Sequence, residues 1–380
     1  MKHWTRRSFI SSTLKGIPAV SLVNTGCAPS KEQSADETGV VPNVQDTGSG
    51  PQEDTGEWIE DTGELQDTGD TGDTEIPVTL ADTGPALENR WPTSLTQANQ
   101  TDLDVDLVVL SGTLPSDMTG HAFTTYPHPM NDGSPQFIGD GMVVRLDFET
   151  DKIGLYRQNV RTPCFYADLA TRDTEYAFQP SGMARISLSL GSRNSLNTNF
   201  LVMDDRLFLA YDGGRPWEID PVTLQPVTPV GAFDEWMSMI PTWISWLRPW
   251  PFPVVLTSAH PVREPRTGEM FTVNFGMNAM VLQPFTRLIR WDGNGPLQSW
   301  NLIDEDGAHV EIVQSAHQVA VTEDYVVFVD IALRMEWEDT LGFGTTRAQI
   351  PDATIWVVRR SDLHAGMTDI TCKKIIVPRE

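Results

Sequence analysis

The sequence predicts an all-β fold for residues 89–380, and three observations carry that prediction. Short runs rich in Val, Ile, Leu and Phe recur between Gly, Pro, Asp and Asn, the punctuation of strands and turns. Several runs fold back on themselves: Asp204-Asp205 separates Leu201-Val202 from Leu207-Phe208-Leu209, and Glu323-Asp324 precedes Tyr325 to Val329. No periodic helix longer than a few turns interrupts them, and no strand–helix–strand alternation appears. A run of antiparallel hairpins over this length fits a β-propeller or a large sandwich. No strict repeat is present, so periodicity alone leaves the two tied.

The chain opens on residues that belong to no fold. Arg6-Arg7 precedes a weakly apolar segment from Ile10 to Val23, interrupted by Lys15. It is too short and too polar to span a bilayer and has the form of a twin-arginine export signal over residues 1–27. That route carries proteins already folded, which suits a protein loaded with a cofactor. Gly26-Cys27 fits lipid attachment, whereas Asn24 stands where such signals usually carry Leu. Both outcomes stay open: a free exported protein or a lipoprotein tethered through Cys27.

Residues 28–88 form an acidic linker. From 32 to 88 there are 16 Asp or Glu and no Lys or Arg, and Asp-Thr-Gly occurs six times. That triplet also marks aspartic proteases. A protease dyad, however, needs each carboxylate on a turn after a buried apolar strand, so that the two share a proton. Here the triplets lie among more acid with few core-forming side chains, which predicts a solvated, extended segment. Residues 1–88 hold 16 acids and five bases, so residues 89–380 keep −14 of the total −25. That balance argues against nucleic acid as a partner. The cysteines are Cys27, Cys164 and Cys372; without a Cys-x-x-Cys pair there is no zinc ribbon. There is no Gly-x-Ser-x-Gly elbow either, which leaves a hydrolase without a nucleophile motif.

Within the folded part the strand-like runs are VDLVVLSG, GMVVRLDF, NFLVMDDRLFLAYDGG, EMFTVNFG, RLIRWDG, QVAVTEDYVVFVDIAL and ATIWVVRR. Two apolar runs lead into Ser-Ala-His, at Ser258-Ala259-His260 and at Ser315-Ala316-His317. Matching histidines so far apart favour the propeller, where inner strands of different blades converge on one axis. Each Ser-Ala-His is expected to end an inner strand.

At these residues the chain resembles the carotenoid cleavage oxygenases, a group that includes apocarotenoid oxygenases, retinoid isomerohydrolases and stilbene cleavers. The resemblance runs from Trp91 to Glu380. It rests on Leu110-Ser111-Gly112-Thr113-Leu114-Pro115, Gly139-Asp140-Gly141-Met142, Val160-Arg161-Thr162 and Asn197-Thr198-Asn199, then on the stretch Leu207 to Pro216. Ala259-His260-Pro261 follows, leading into Pro265-Arg266-Thr267-Gly268-Glu269, and Ser315-Ala316-His317 leads into Ala320-Val321-Thr322. Each motif is weak alone; the order and spacing are specific. The resemblance implies a seven-bladed β-propeller with Fe(II) on its axis, held by four histidines. His260 and His317 match the first two. Neutral imidazoles suit ferrous iron. The implied activity is cleavage of a conjugated C=C bond by dioxygen, in an apolar apocarotenoid, carotenoid or stilbene-like substrate. His3, His121, His128, His309 and His364 match no ligand position.

Departures accompany the match. A Glu of the family, which accepts the second ring N–H of a ligand histidine, is replaced by Asp212, one methylene shorter. It reaches the ring through a water, holds it less firmly, or merely begins a Gly-rich turn. Ile138 stands where the family has the first Asp of its Asp-Gly-Asp-Gly-Met run. The chain ends at CKKIIVPRE, where relatives run on to the third and fourth histidines and the last blades. The propeller is therefore expected to be incomplete and these 380 residues inactive alone, with raw sheet edges. Between Asp212 and His260, Trp243, Trp246 and Trp250 lie in a Pro-punctuated insert. It suits either a peripheral membrane contact or packing onto the propeller. The alternative to an oxygenase is an exported propeller binding module that has lost catalysis.

Overall fold

The computed structural model describes residues 102–130, 134–149, 152–182, 184–239, 250–278, 281–331, 350 and 352–378. The segments expected to be an export signal and an acidic linker, and Trp243 and Trp246, lie outside them.

Alternating apolar and polar side chains give the first sheet its strands: β1 (Leu103–Leu107), β2 (Gly120–His128), β3 (Asp140–Glu149) and β4 (Lys152–Asn159). They run in the antiparallel order β1-β4-β3-β2. The apolar run at the start was expected to continue to Leu110. It stops pairing at Leu107, opposite Ile153, because β4 begins at Lys152 and offers no further partner. Leu110 is left 95% exposed.

A single α-helix, α1 (Pro163–Thr171), follows among the described residues. Thr162 caps it, with Oγ1 accepting from Phe165 N, and proline occupies its first turn, where a missing N–H costs nothing. A small sheet comes next, of β5 (Gln179–Ser181), β6 (Ala184–Ser187) and β7 (Gly191–Ser192). Arg193, fully enclosed, donates to the carboxylates of Asp140 and Asp168. It thereby ties the start of β3 to α1, the kind of pairing a buried charge requires.

The second sheet is the hairpin read from the sequence, extended by two strands: β8 (Asn199–Met203), β9 (Arg206–Ala210), β10 (Trp217–Ile219) and β11 (Pro226–Pro229), in that order. Asp204 takes a positive φ of 53° at the turn, a conformation Asp tolerates better than most residues. β8 is buried on both faces. Phe200 and Val202 join a cluster with Phe123 and Val143 of the first sheet. Leu201 and Met203 join one with Met270, Ile289 and Trp291. The period of two along a strand sends its side chains to opposite neighbours.

The third sheet holds β12 (Leu256–Thr257) and β13 (Val262–Arg263), both paired with β14 (Met270–Asn278), then β15 (Gln283–Trp291) and β16 (Gln298–Ile303). The fourth holds β17 (Val319–Val321), β18 (Tyr325–Asp330) and β19 (Ala353–Arg359). The chain then divides itself between them. β20 (Asp369–Thr371) lies parallel to β16, and after Cys372 β21 (Lys373–Val377) lies antiparallel to β19. Phe271, Val273, Leu288, Trp300, Phe328 and Trp356 fill the space between these two sheets.

The leading strands are neighbours: β2 packs on β8, β8 on β13, and β13 on β17. Successive sheets, largely antiparallel, with one edge of each gathered together are the blades of a propeller. The described residues supply four of them.

Candidate metal centre

The two Ser-Ala-His stretches meet where the third and fourth blades adjoin. Thr257 ends β12, and Ser258-Ala259-His260 continues across the gap before β13. His260 N–H donates to the His317 carbonyl at 3.1 Å, and Ser258 Oγ donates to the same oxygen at 2.8 Å. Ser258, Ala259, Ser315 and Ala316 are fully buried. Only small side chains leave two backbones room to approach this closely. The result sets the rings 4.7 Å apart between centroids at 72°, with Nε2 of His260 3.1 Å from Nε2 of His317.

One expectation needs correction. The first Ser-Ala-His does follow an inner strand, but the second precedes one: Ser315 to His317 lie ahead of β17. The apolar residues before it do not form a ladder because a carboxylate has taken their amides. Asp330, buried at the end of β18, accepts N–H groups from Val313 at 2.7 Å, Gln314 at 2.9 Å and Ser315 at 2.9 Å. Three donors satisfy the buried charge, and the segment is fixed as a loop.

Asp212 closes the site from the second blade. Its carboxylate oxygens lie 2.9 and 3.1 Å from Nδ1 of His317. The shorter side chain therefore reaches the ring directly, without a bridging water. The backbone makes this possible. Thr257 N–H donates to the Asp212 carbonyl at 2.8 Å, and the single Thr257 Oγ1 proton is shared between the carbonyls of Tyr211 and Gly214, 3.1 and 2.8 Å away. One buried threonine thus clamps residues 211–214 to the strand that delivers His260.

Electrostatics assigns the protons. Burial, and secondarily the neighbouring His317, lowers His260 to about 4, so its imidazole is neutral near pH 7. Burial also pulls His317 down, but the hydrogen bond and charge of Asp212 outweigh it and the net shift is upward. Burial raises Asp212 against the pull of the same histidine. Both partners hold their shared proton tightly, and we place it on Nδ1 of His317, facing the carboxylate. In the neutral ring that keeps this proton, Nε2 of His317 turns its lone pair towards His260; the upward shift favours the protonated ring, whose Nε2 proton a bound cation would displace.

This donor set fits a metal ion. With bonds of about 2.1 Å to imidazole nitrogen, two nitrogens 3.1 Å apart subtend about 95°, close to adjacent corners of an octahedron. An oriented, carboxylate-backed histidine is the usual support of a metal ligand. Among the described residues no group of three or more His, Cys, Asp or Glu gathers for a metal, so the pair is what these blades contribute. The other histidines among the described residues lie elsewhere. His121 bonds Asp147 at 2.7 Å, His128 is buried at the end of β2, and the His364 carbonyl accepts from Trp300. Trp250 packs against the core and donates to the Leu188 carbonyl at 3.0 Å. The sequence did not expose Thr257 or Asp330 as site residues. A lone Asp closing the apolar run of β18 was the available signal for the second.

Comparison with known proteins agrees with this architecture. Residues 95–373 match the family profile described as retinal pigment epithelial membrane protein. The chain is 25% identical over 258 residues to resveratrol cleavage oxygenase 1 of Chaetomium globosum, covering 66% of this chain and 40% of that protein. It is 27% identical over 188 residues to isoeugenol monooxygenase of Pseudomonas putida, covering 47% and 34%. The chain thus spans well under half the length of either relative. Among solved structures, lignostilbene dioxygenase of Pseudomonas brassicacearum superposes with a TM-score of 0.53 at 20% identity, over 75% of this chain and 55% of that one. A variant of the Synechocystis apocarotenoid oxygenase gives 0.52 at 19% identity, over 74% and 57%.

Proposed function

Because this chain belongs to the retinal pigment epithelial membrane protein family, the carotenoid oxygenases, we propose that the whole protein is an iron-dependent oxygenase. It cleaves a conjugated C=C bond of an apolar substrate with dioxygen. The named activities of its relatives, on resveratrol, isoeugenol, lignostilbene and apocarotenoids, support that class. We favour a stilbene-like or apocarotenoid substrate.

The observation that carries the proposal is the convergence of His260 and His317 at 3.1 Å, with Asp212 behind one ring. His260 and His317 would hold the iron together with ligands from beyond these blades. Bound ferrous iron supplies the activation of dioxygen. The residues of this chain supply the rest. Asp212 holds the proton of the neutral His317 ring on Nδ1, so that Nε2 is the nitrogen turned to the metal. Burial keeps His260 neutral. Thr257 and Ser258 hold three blades in register around the pair. Two neutral imidazoles leave the ion its full positive charge. We further propose that residues 1–27 direct export by the twin-arginine route, either free or anchored through Cys27, which replacing Arg6-Arg7 by Lys-Lys in a reporter fusion tests.

The binding-module alternative loses one of its supports, since the shortened carboxylate still contacts the ring. The decisive experiment is metal analysis of the whole protein, together with oxygen uptake on resveratrol and on an apocarotenal. Expected are about one iron per chain and two carbonyl fragments from each cleaved molecule, both lost in His260→Ala and His317→Ala. A whole protein that folds, binds these compounds and holds no iron is the binding module instead.

A further inference from the structure

The loop before His317 is held by a side chain, not by a β-ladder. Residues 313–315 have given up a β-ladder, and the acceptor that replaces it is the carboxylate of Asp330. Val313 donates to Oδ2 at 2.7 Å, while Gln314 and Ser315 donate to Oδ1 at 2.9 Å each. The arrangement is reciprocal, because Ile331 N–H donates back to the Ser315 carbonyl at 3.0 Å. Asp330 is 5% exposed, Gln314 3%, and Ser315 and Ala316 not at all. Asp330 stands at the end of β18, paired with Thr354 of β19, two residues beyond Phe328, where the β17 ladder ends. One residue, Ala316, separates its last hydrogen bond from His317.

We propose that Asp330 is a positioning residue for His317. Its carboxylate fixes the 313–315 loop on the rigid fourth blade, and so fixes the direction in which the His317 ring meets His260 and Asp212. This rests on the metal-centre reading of the pair. The physical argument is that an imidazole has two free torsions but its Cα has none to spare. With Ser315 and Ala316 enclosed, the backbone position of His317 is decided by the bonds its own carbonyl accepts from His260 N–H and Ser258 Oγ and by what holds its two flanks. On the C-terminal flank that is the β17 ladder. On the N-terminal flank it is Asp330. A carboxylate is the one side chain able to accept from all three amides; an amide in its place turns a donor towards Val313 N–H. Preorganisation of this kind sets metal affinity more than it sets stability.

The test uses the full chain as it stands, with Asp330→Asn beside Phe328→Leu. Phe328 is buried on the same strand and face as Asp330 and serves as a control of purely structural cost. The first readout needs no metal: amide hydrogen exchange at residues 313–315, and the ring nitrogen signals of His317 by NMR. In Asp330→Asn, exchange at Val313 is expected to rise at least tenfold, with the His317 ring signals broadened or shifted. In Phe328→Leu, they stay as in the parent. The second readout is Co(II) binding by calorimetry. Asp330→Asn is expected to weaken it about tenfold or more, and Phe328→Leu less than twofold at a comparable loss of melting temperature. If exchange rises at 313–315 while the His317 ring signals are unchanged, Asp330 is only structural and the inference is overturned. A parent chain with no affinity for Co(II) counts against the metal-centre reading; the ring signals still decide the positioning role.

Discussion

Asp212 is where the geometry can be tested most sharply, because three substitutions separate charge, reach and space. Its carboxylate is buried and bonded to Nδ1 of His317 at 2.9 and 3.1 Å. Asp212→Ala removes a charge-assisted hydrogen bond and leaves the ring N–H without its partner, a loss of about 1.5–3 kcal/mol. Relief from burying a carboxylate offsets part of that, so the net fall in unfolding free energy is expected near 1–2 kcal/mol. Metal affinity should suffer more, by about 10–100-fold, or about 1.4–2.8 kcal/mol. Asp212→Asn keeps an acceptor and the shape, so its stability loss should be smaller while affinity still falls. Asp212→Glu is the informative case, since it restores the family's residue. The Thr257 bonds at 2.8 Å to the Asp212 and Gly214 carbonyls leave no slack for the extra methylene. It should therefore overpack the site at a cost of about 1–3 kcal/mol and bind metal no better than the parent. The assay is guanidinium unfolding for stability and Co(II) calorimetry for affinity. A glutamate variant that is both more stable and tighter for metal would show that the backbone clamp does not fix this distance.

Other consequences follow from the same structure. Thr257→Val keeps shape but removes the hydroxyl that bonds the Tyr211 and Gly214 carbonyls. Leaving buried carbonyls unmatched should cost about 1–3 kcal/mol, read from chemical denaturation, with Asp212 displaced in a crystal structure. Gly141→Ala drives a Cβ into the Leu196 and Ser195 carbonyls, and backbone cannot yield, so a loss of about 3 kcal/mol is expected, with no soluble protein as the extreme result. Asp147 gives the pH test. Burial pushes its carboxyl up, but the hydrogen bonds from His121 and Arg145 outweigh this and the net shift is downward. A depressed folded value means stability present above the ordinary carboxylate range and lost as pH falls through the folded value. Asp147→Asn should flatten that acid limb in denaturation midpoints measured against pH, and an unchanged limb would assign the pH dependence to other groups.

The sequence by itself determined the strands and turns of this protein, because those are local. Short continuous apolar runs on either side of a polar turn write β8 and β9, and Asp204 marks their turn through its own backbone preference. The two histidines were also legible, since Ser-Ala-His recurs with small residues that allow close backbone approach. Tertiary structure decided what those residues do. β1 stops at Leu107 because β4 starts at Lys152, a length no single strand encodes. The run before Ser315 reads as a strand and is a loop, because a carboxylate from another strand outcompetes a ladder for its amides. Asp212 reaches His317 in spite of its length because Thr257, from a third blade, moves the backbone to it. Each of these outcomes depends on a partner distant in sequence, and a hydrogen bond between distant residues leaves no periodic trace in the chain that makes it.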